Sequence, residues 1–330
     1  MPRWMKHPAR RSLVALTVAL AVSAPAGGAA AQPAWPTKPV TFVVTYPPGG
    51  GADLMARLIA PKMSEVLGQP VVVDNKPGAA GQIGAAYVAK ARPDGYTVMV
   101  DASSFAINPG LYPKLPYDPK AFRTVGVAAL FPHVVVVTPG FEATSAAELV
   151  ALARAKPDAI SYASSGTGSA QHLAGALFQQ RTGARMLHVP YKGGGPAMND
   201  VMGGHIPVFF ANVASALSHV KAGKLRPLAI AGEHRVDALP DTPALAEAGI
   251  TGAELYEWNG VFVPVGTPDA VVVRLSQALA RAVESPEVEG RIRSLGGRVF
   301  AGGPAEAAGF IAAETERLAG VVKTGDIRPE

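Results

Sequence analysis

Residues Val40–Val44 form an unbroken apolar run, the pattern of a strand buried on both faces. After it comes Thr45-Tyr46-Pro47-Pro48-Gly49-Gly50-Gly51-Ala52-Asp53, a stretch poor in side chains. Leu54, Leu58, Ile59, Met63, Val66 and Leu67 then recur at helical spacing until Gly68. The chain therefore passes from strand through glycine loop to helix, with Asp53 placed to cap that helix. Pro61 lies inside the helical pattern, where a missing N–H costs about 3 kcal/mol, and predicts a kink or early break.

The pattern repeats. Val71–Val73 is a second strand running into the glycine-rich turn 74–81, followed by a helix through 85–89 and a third strand, Tyr96–Val100, ending at Ser103 and Ser104. This βαβαβ order predicts a parallel sheet whose ligands sit beyond the C-terminal strand ends. Residues 108–124 read as a proline-punctuated excursion, and 125–130 and 134–138 as two strands, the second able to carry the chain into another domain. Ser145 and Glu148 have the spacing of a capping box before a helix at 149–155. Strand 160–163, the loop Ser164-Ser165-Gly166-Thr167-Gly168-Ser169 and helix 170–182 repeat the opening device with hydroxyls added. Strand 186–190, the turn from Tyr191, helix 197–202, strand 206–211 with Asn212 just past its end, helix 216–222 and strand 225–231 complete a second βαβαβ half. A strand at 260–265 could cross back, and amphipathic helices at 271–283, opened by Pro268, and 305–322 close the chain as scaffold.

Composition narrows the class. With 330 residues, 48% hydrophobic and 17% charged, the chain suits about two globular α/β domains and not a disordered polymer. The absence of cysteine excludes disulfides, thiolate metal sites, a cysteine nucleophile and an acylated lipoprotein cysteine. Residues 1–31 have the form of a secretory signal: Arg3, Lys6, Arg10 and Arg11, then a short apolar run at 13–22, then Ala29-Ala30-Ala31, with Gln32 as the expected new N-terminus. Its loss removes four basic groups and no acidic one, taking the formal charge from +5 to +1, so no basic stripe points to nucleic acid. The expected location is periplasmic.

Chemistry is sparse. No G-x-S-x-G elbow, H-E-x-x-H, phosphate-binding lysine loop or G-x-G-x-x-G after a strand occurs, and no cofactor or metal is expected. His172 near the Ser164–Ser169 loop could polarise a serine, but a lone histidine at a helix start is more often structural. What remains is a set of glycine and hydroxyl loops at strand ends, suited to holding a small anion by backbone amides and helix N-termini. The candidate ligand-binding residues are Tyr46, Gly49, Gly50, Gly51, Ala52, Ser103, Ser165, Gly166, Thr167, Ser169, Tyr191 and Asn212. Tyr191-Lys192 could bind a carboxylate, or wall the cleft with Lys192 in solvent. Gly50→Val is expected to abolish binding through shape.

Taken together, Tyr46-Pro47-Pro48-Gly49-Gly50 with Asp53 and Arg57, Leu67-Gly68-Gln69-Pro70 with Asn75-Lys76-Pro77-Gly78-Ala79-Ala80-Gly81, Pro93-Asp94-Gly95-Tyr96-Thr97, Tyr162-Ala163-Ser164-Ser165-Gly166, His188-Val189-Pro190-Tyr191-Lys192-Gly193, Ala222-Gly223-Lys224-Leu225-Arg226 and Leu239-Pro240-Asp241-Thr242-Pro243 resemble the tripartite tricarboxylate transporter substrate-binding family, the Bug receptors. The resemblance runs from about Trp35 to the end. It implies an α/β fold of two doubly wound domains with an interdomain cleft, like a type II periplasmic binding protein. Domain one would be residues 32–136 with 262–330, and domain two the insert 137–261. It further implies a monomeric, non-enzymatic receptor that passes a small carboxylate to a membrane permease. A sensory receptor with the same cleft and, further off, a periplasmic hydrolase using Ser165 or Ser169 with His172 are the alternatives. One departure stands out: Asn212 occupies a position where the family commonly has Asp, which favours a plain mono- or dicarboxylate over an amino acid.

Overall fold

The structure is a computed structural model that describes residues 35–329 together with Met1, Pro2 and Trp4. The expected signal segment lies outside the described residues apart from those three. Residues 35–330 form one compact unit. In chain order it runs β1 (Val40–Val44), α1 (Gly51–Leu67), β2 (Val71–Asn75), α2 (Gln82–Ala89), β3 (Thr97–Asp101), α3 (Ser104–Leu111), β4 (Phe122–Val137), α4 (Ala146–Ala155), β5 (Ser161–Ser164), α5 (Ala170–Thr182) and β6 (Leu187–Pro190). It continues with α6 (Gly194–Met202), β7 (Val208–Asn212), α7 (Val213–Lys221), β8 (Arg226–Ala231), β9 (Tyr256–Pro264), α8 (Asp269–Val283), α9 (Pro286–Ser294), β10 (Arg298–Val299) and α10 (Pro304–Thr324). Among the described residues no helix is long and apolar enough to cross a membrane.

One mixed sheet holds all ten strands, in the order β2-β1-β3-β9-β4-β7-β5-β6, with β8 and β10 also on β4. The expected parallel units are present: β1 pairs in parallel with β2 and β3, and β5 with β6 and β7. The two wings join through antiparallel pairing that the helix–strand alternation did not reveal. From Phe122 to Pro132, β4 runs against β9, and from His133 to Val137 it runs against β7 and β8. The expected pair of strands around 131–133 is thus a single strand. Pro132 is tolerated because its neighbour changes there, where a proline interrupts the fewest ladder bonds.

Alternation along the strands explains why the runs look uniformly apolar. Phe42 and Val44 of β1 pack with Met55, Ile59 and Met63 of α1 and Leu275 and Leu279 of α8. Val43, pointing the other way, joins Met99, Phe105, Phe262 and α10 residues Ile311 and Leu318. The same split separates Val134 and Val136 from Val135 and Val137. A sheet covered on both faces leaves no polar side to write into the sequence.

Several boundaries move. Helix α1 begins at Gly51, not Leu54, and runs through Pro61 without the expected break. Asp53 is not its N-cap: Gly50 is, with no side-chain cap, and Asp53 sits in the first turn. The excursion at 108–124 contains α3, with Pro109 inside it. Asn212 ends β7 and caps α7. Strand β9 begins at Tyr256, ahead of the expected 260, and α9 and β10 were not anticipated.

Candidate functional site

The strand-end loops converge where β4 and β9 cross. Two connected spaces lie there. The deeper, a cavity of about 20 Å³, is lined by Tyr46, Gly50, Gly51, Ala52, Ser165 and Glu257, among others. The outer, about 620 Å³, is lined by Tyr46, Ser165, Gly166, Thr167, Tyr191 and the 77–83 turn. Tyr46 and Ser165 border both and form the neck.

The first jaw is the β1–α1 loop. Because α1 has no side-chain cap, its first backbone N–H groups have no partner within the helix and lie at the wall of the deep cavity. Asp53 fixes the loop from behind. Its carboxylate accepts from Gly49 N (3.0 Å), Arg57 Nε (2.9 Å) and Asn75 Nδ2 (2.9 Å). Asn75 also donates to the Tyr46 carbonyl at 2.9 Å, tying the loop to the end of β2. Burial pushes the Asp53 carboxyl up, but Arg57, the Gly49 amide and Asn75 outweigh it and hold it below the usual range. The Gly49 amide, expected to face a ligand, is therefore committed to Asp53, while Gly50, Gly51 and Ala52 line the cavity. Gly51 must lack a side chain: a Cβ there would lie 2.5 Å from Glu257 Oε1 and 2.8 Å from Asn212 Nδ2. At Gly50 it would meet only Pro47 O, at 3.6 Å. The Tyr46 ring is buried and its hydroxyl has no hydrogen-bond partner; burial, then the nearby Asp101 carboxyl, pushes its pKa well up.

The second jaw is the β5–α5 loop. Ser165, Gly166 and Thr167 line the site as expected from their place at the strand end. Ser169 does not: its Oγ accepts from His172 N (3.3 Å) and caps α5. His172 is not set to polarise a serine. Its Nδ1 accepts from Gly168 N (3.3 Å), and its ring stacks on His188 at 3.7 Å. Burial lowers the pKa of both imidazoles, to about 4 for His172 and about 3 for His188. His188 Nε2 in turn shares a hydrogen bond of 2.7 Å with Ser164 Oγ, so the stack braces the loop.

Tyr191 walls the outer space, but its hydroxyl donates to Asp200 Oδ2 at 2.6 Å, and the exposed Lys192 lies at the rim. Ser103 is fully buried with an unpartnered hydroxyl, beside Ala102, which does line the deep cavity. The jaws touch. Tyr112 Oη donates to Thr167 O (3.1 Å), and Gly193, at φ +143°, lies so close to Pro47 that a Cβ would overlap the proline ring.

Sequence reasoning missed the cavity floor. Glu257, Gln171 and His133 meet there with Asn212. Glu257 Oε2 accepts from Gln171 Nε2 at 2.7 Å and lies 3.9 Å from His133 Nε2. Burial raises the Glu257 carboxyl to about 7 against the amides of Gln171 and Asn212, with Asp101 adding to the rise. The signal was visible in Tyr256-Glu257-Trp258-Asn259, an acid set in an aromatic run that leads into a strand. Among the described residues no group of histidine, aspartate and glutamate side chains is arranged to hold a metal ion.

Comparison with known proteins places this architecture. The model of the tripartite tricarboxylate transporter family receptor matches residues 55–327. The protein BugT of Bordetella pertussis is 37% identical over 292 residues, 88% of this chain and 90% of its own. Among solved structures, Rpa4515 of R. palustris with adipate is 36% identical, covers 90% of this chain and 100% of its own, and superposes with a TM-score of 0.87. MatC of Rhodopseudomonas palustris with bound malate is 31% identical, covers 87% and 100%, and gives 0.83. With the two wings and the strand-end loops between them, these matches show that the chain belongs to the tripartite tricarboxylate transporter receptor family.

Proposed function

We propose that this receptor captures a small carboxylate between its two jaws, without turnover, and delivers it to a membrane permease of the tripartite tricarboxylate type. The observation that carries this reading is the uncapped N-terminus of α1, whose free amides and partial positive charge border a cavity closed opposite by Ser165. A ligand carboxylate would sit against Gly50–Ala52 and Ser165, with its carbon body in the outer space between the 77–83 turn and Tyr191. The adipate and malate bound by the two relatives support this chemical class. The uncharged Asn212 favours a plain mono- or dicarboxylate over an amino acid.

In the same reading residues 32–136 with 262–330 form one lobe, residues 137–261 form the other, and the lobes close about the crossing strands β4 and β9. The chain works in the periplasm after loss of residues 1–31. A thermal-shift screen of carboxylates, amino acids and aromatic acids tests the function. Stabilisation by carboxylates, with the ligand recovered unchanged, is expected. Stabilisation by non-anionic compounds alone would sink the reading.

A further inference from the structure

The cavity floor carries an apparent contradiction. A site for an anion is lined by a buried carboxyl, Glu257, 3% exposed. Two like charges in one desolvated pocket cannot both persist. The surroundings offer no cationic escape. From α5 comes the neutral Gln171 amide, donating to Oε2 at 2.7 Å. From the end of β7 comes the Asn212 amide, whose Nδ2 completes no hydrogen bond. From β3 comes Asp101, itself buried and acidic, and from the β1–α1 loop the Tyr46 phenol and Gly51. From β4 comes His133, whose Nδ1 is 2.9 Å from Leu255 O. A carbonyl can only accept, so Nδ1 carries the proton and Nε2, 3.9 Å from Glu257 Oε2, is a bare lone pair. Among the described residues no lysine or arginine forms an ion pair with Glu257. The groups that remain, Gln171 apart, include a lone pair and a pocket for a ligand oxygen, and both call for a donor that protonated Glu257 can supply.

We propose that Glu257 couples ligand capture to proton uptake: the cleft takes an anionic carboxylate only with the Glu257 carboxyl protonated, its O–H turned toward His133 Nε2 or the ligand. The proton comes from solvent and returns to it on release, and no covalent bond changes. This rests on the carboxylate-receptor reading and deepens it. The sign is fixed by linkage. With the free carboxyl titrating at about 7, affinity is flat below that pH and falls about tenfold per pH unit above it. Ordinary ligand carboxylates, ionised well below this range, contribute no such slope.

Isothermal titration of the purified protein with adipate, malate and aspartate, from pH 5.5 to 8.5 in buffers of differing ionisation enthalpy, tests this. The expected result is weakening of adipate or malate binding by about tenfold between pH 7.5 and 8.5, with uptake approaching one proton per ligand. Glu257→Gln, neutral at every pH, is expected to flatten the profile and bind on the order of tenfold tighter than the parent at pH 8.5. Binding that is flat with pH and takes up no proton overturns the proposal while leaving the carboxylate receptor intact. So does tight binding of aspartate alone that Glu257→Gln abolishes, because ionised Glu257 would then serve a ligand ammonium. If no acid binds at any pH, the receptor reading falls first. Proton uptake by the parent protein decides the matter even where the variant does not fold.

Discussion

The two jaws use one device, a strand that ends in a glycine-rich loop and enters a helix, yet they present different chemistry. In the β1–α1 jaw nothing but backbone stands at the helix N-terminus, because Gly50 has no side chain and Asp53 is turned back toward Gly49, Arg57 and Asn75. In the β5–α5 jaw Ser169 occupies the helix N-terminus itself, and the hydroxyls left for a ligand are those of Ser165 and Thr167. A glycine loop before a helix is therefore not by itself an anion site. What decides is whether a side chain already satisfies the first turn.

The sharpest way to break this comparison is at Gly51. Gly51→Ala would place a methyl against Glu257 and Asn212, and is expected to weaken carboxylate binding about 10- to 100-fold by titration calorimetry. Gly50→Val, the more obvious choice from sequence alone, meets only Pro47 O at 3.6 Å and is expected to cost less.

Next comes acid. Unfolded histidine titrates at 6.5, whereas His133 and His172 are held at about 4 and His188 at about 3 by burial. The unfolded chain then binds more protons, so their contribution is intact above 6.5 and is lost as pH falls toward 4. Asp101 and Glu257, raised to about 6 and 7, act with the opposite sign and soften the loss. The melting temperature is expected to fall between pH 6.5 and 4, and His172→Asn, in the second jaw, should reduce that fall. An unchanged slope in this variant would remove the stack from the account.

Smaller still is Asp53→Ala. It frees the Gly49 amide and Asn75 at a cost of about 1–3 kcal/mol and should loosen the first jaw, lowering both melting temperature and affinity. Ser169→Ala removes only a helix cap, about 1 kcal/mol, so stability should drop while affinity holds. A large loss of affinity there would make the two jaws chemically alike after all.

The wings and their loops were legible because glycine, proline and apolar periodicity are local signals. Val40–Val44, the 170–182 helix and the loops between them follow from neighbours in sequence. The cavity floor was not legible, because it is assembled by crossing. His133, Gln171, Asn212 and Glu257 come from four separate elements, and no local pattern announces that they meet. Asp53 was placed in the right turn but given the wrong task, since an acid three residues inside a helix reaches back to the same amides that a capping residue would reach. Pro61 failed as a breaker because a helix packed along Met55, Ile59 and Met63 retains enough tertiary contact to offset one missing bond.

The unbroken β4 also has a kinetic meaning. His133 and Leu255, bonded where the wings meet, are 122 residues apart in the chain. Until β9 has been made, the apolar strand from Val125 to Leu130 has no partner on that side, and neither wing can finish its sheet. Folding of such a topology is governed by long-range closure and is slow. Fragments that stop short of Tyr256 expose an open strand edge and should aggregate where the whole chain folds.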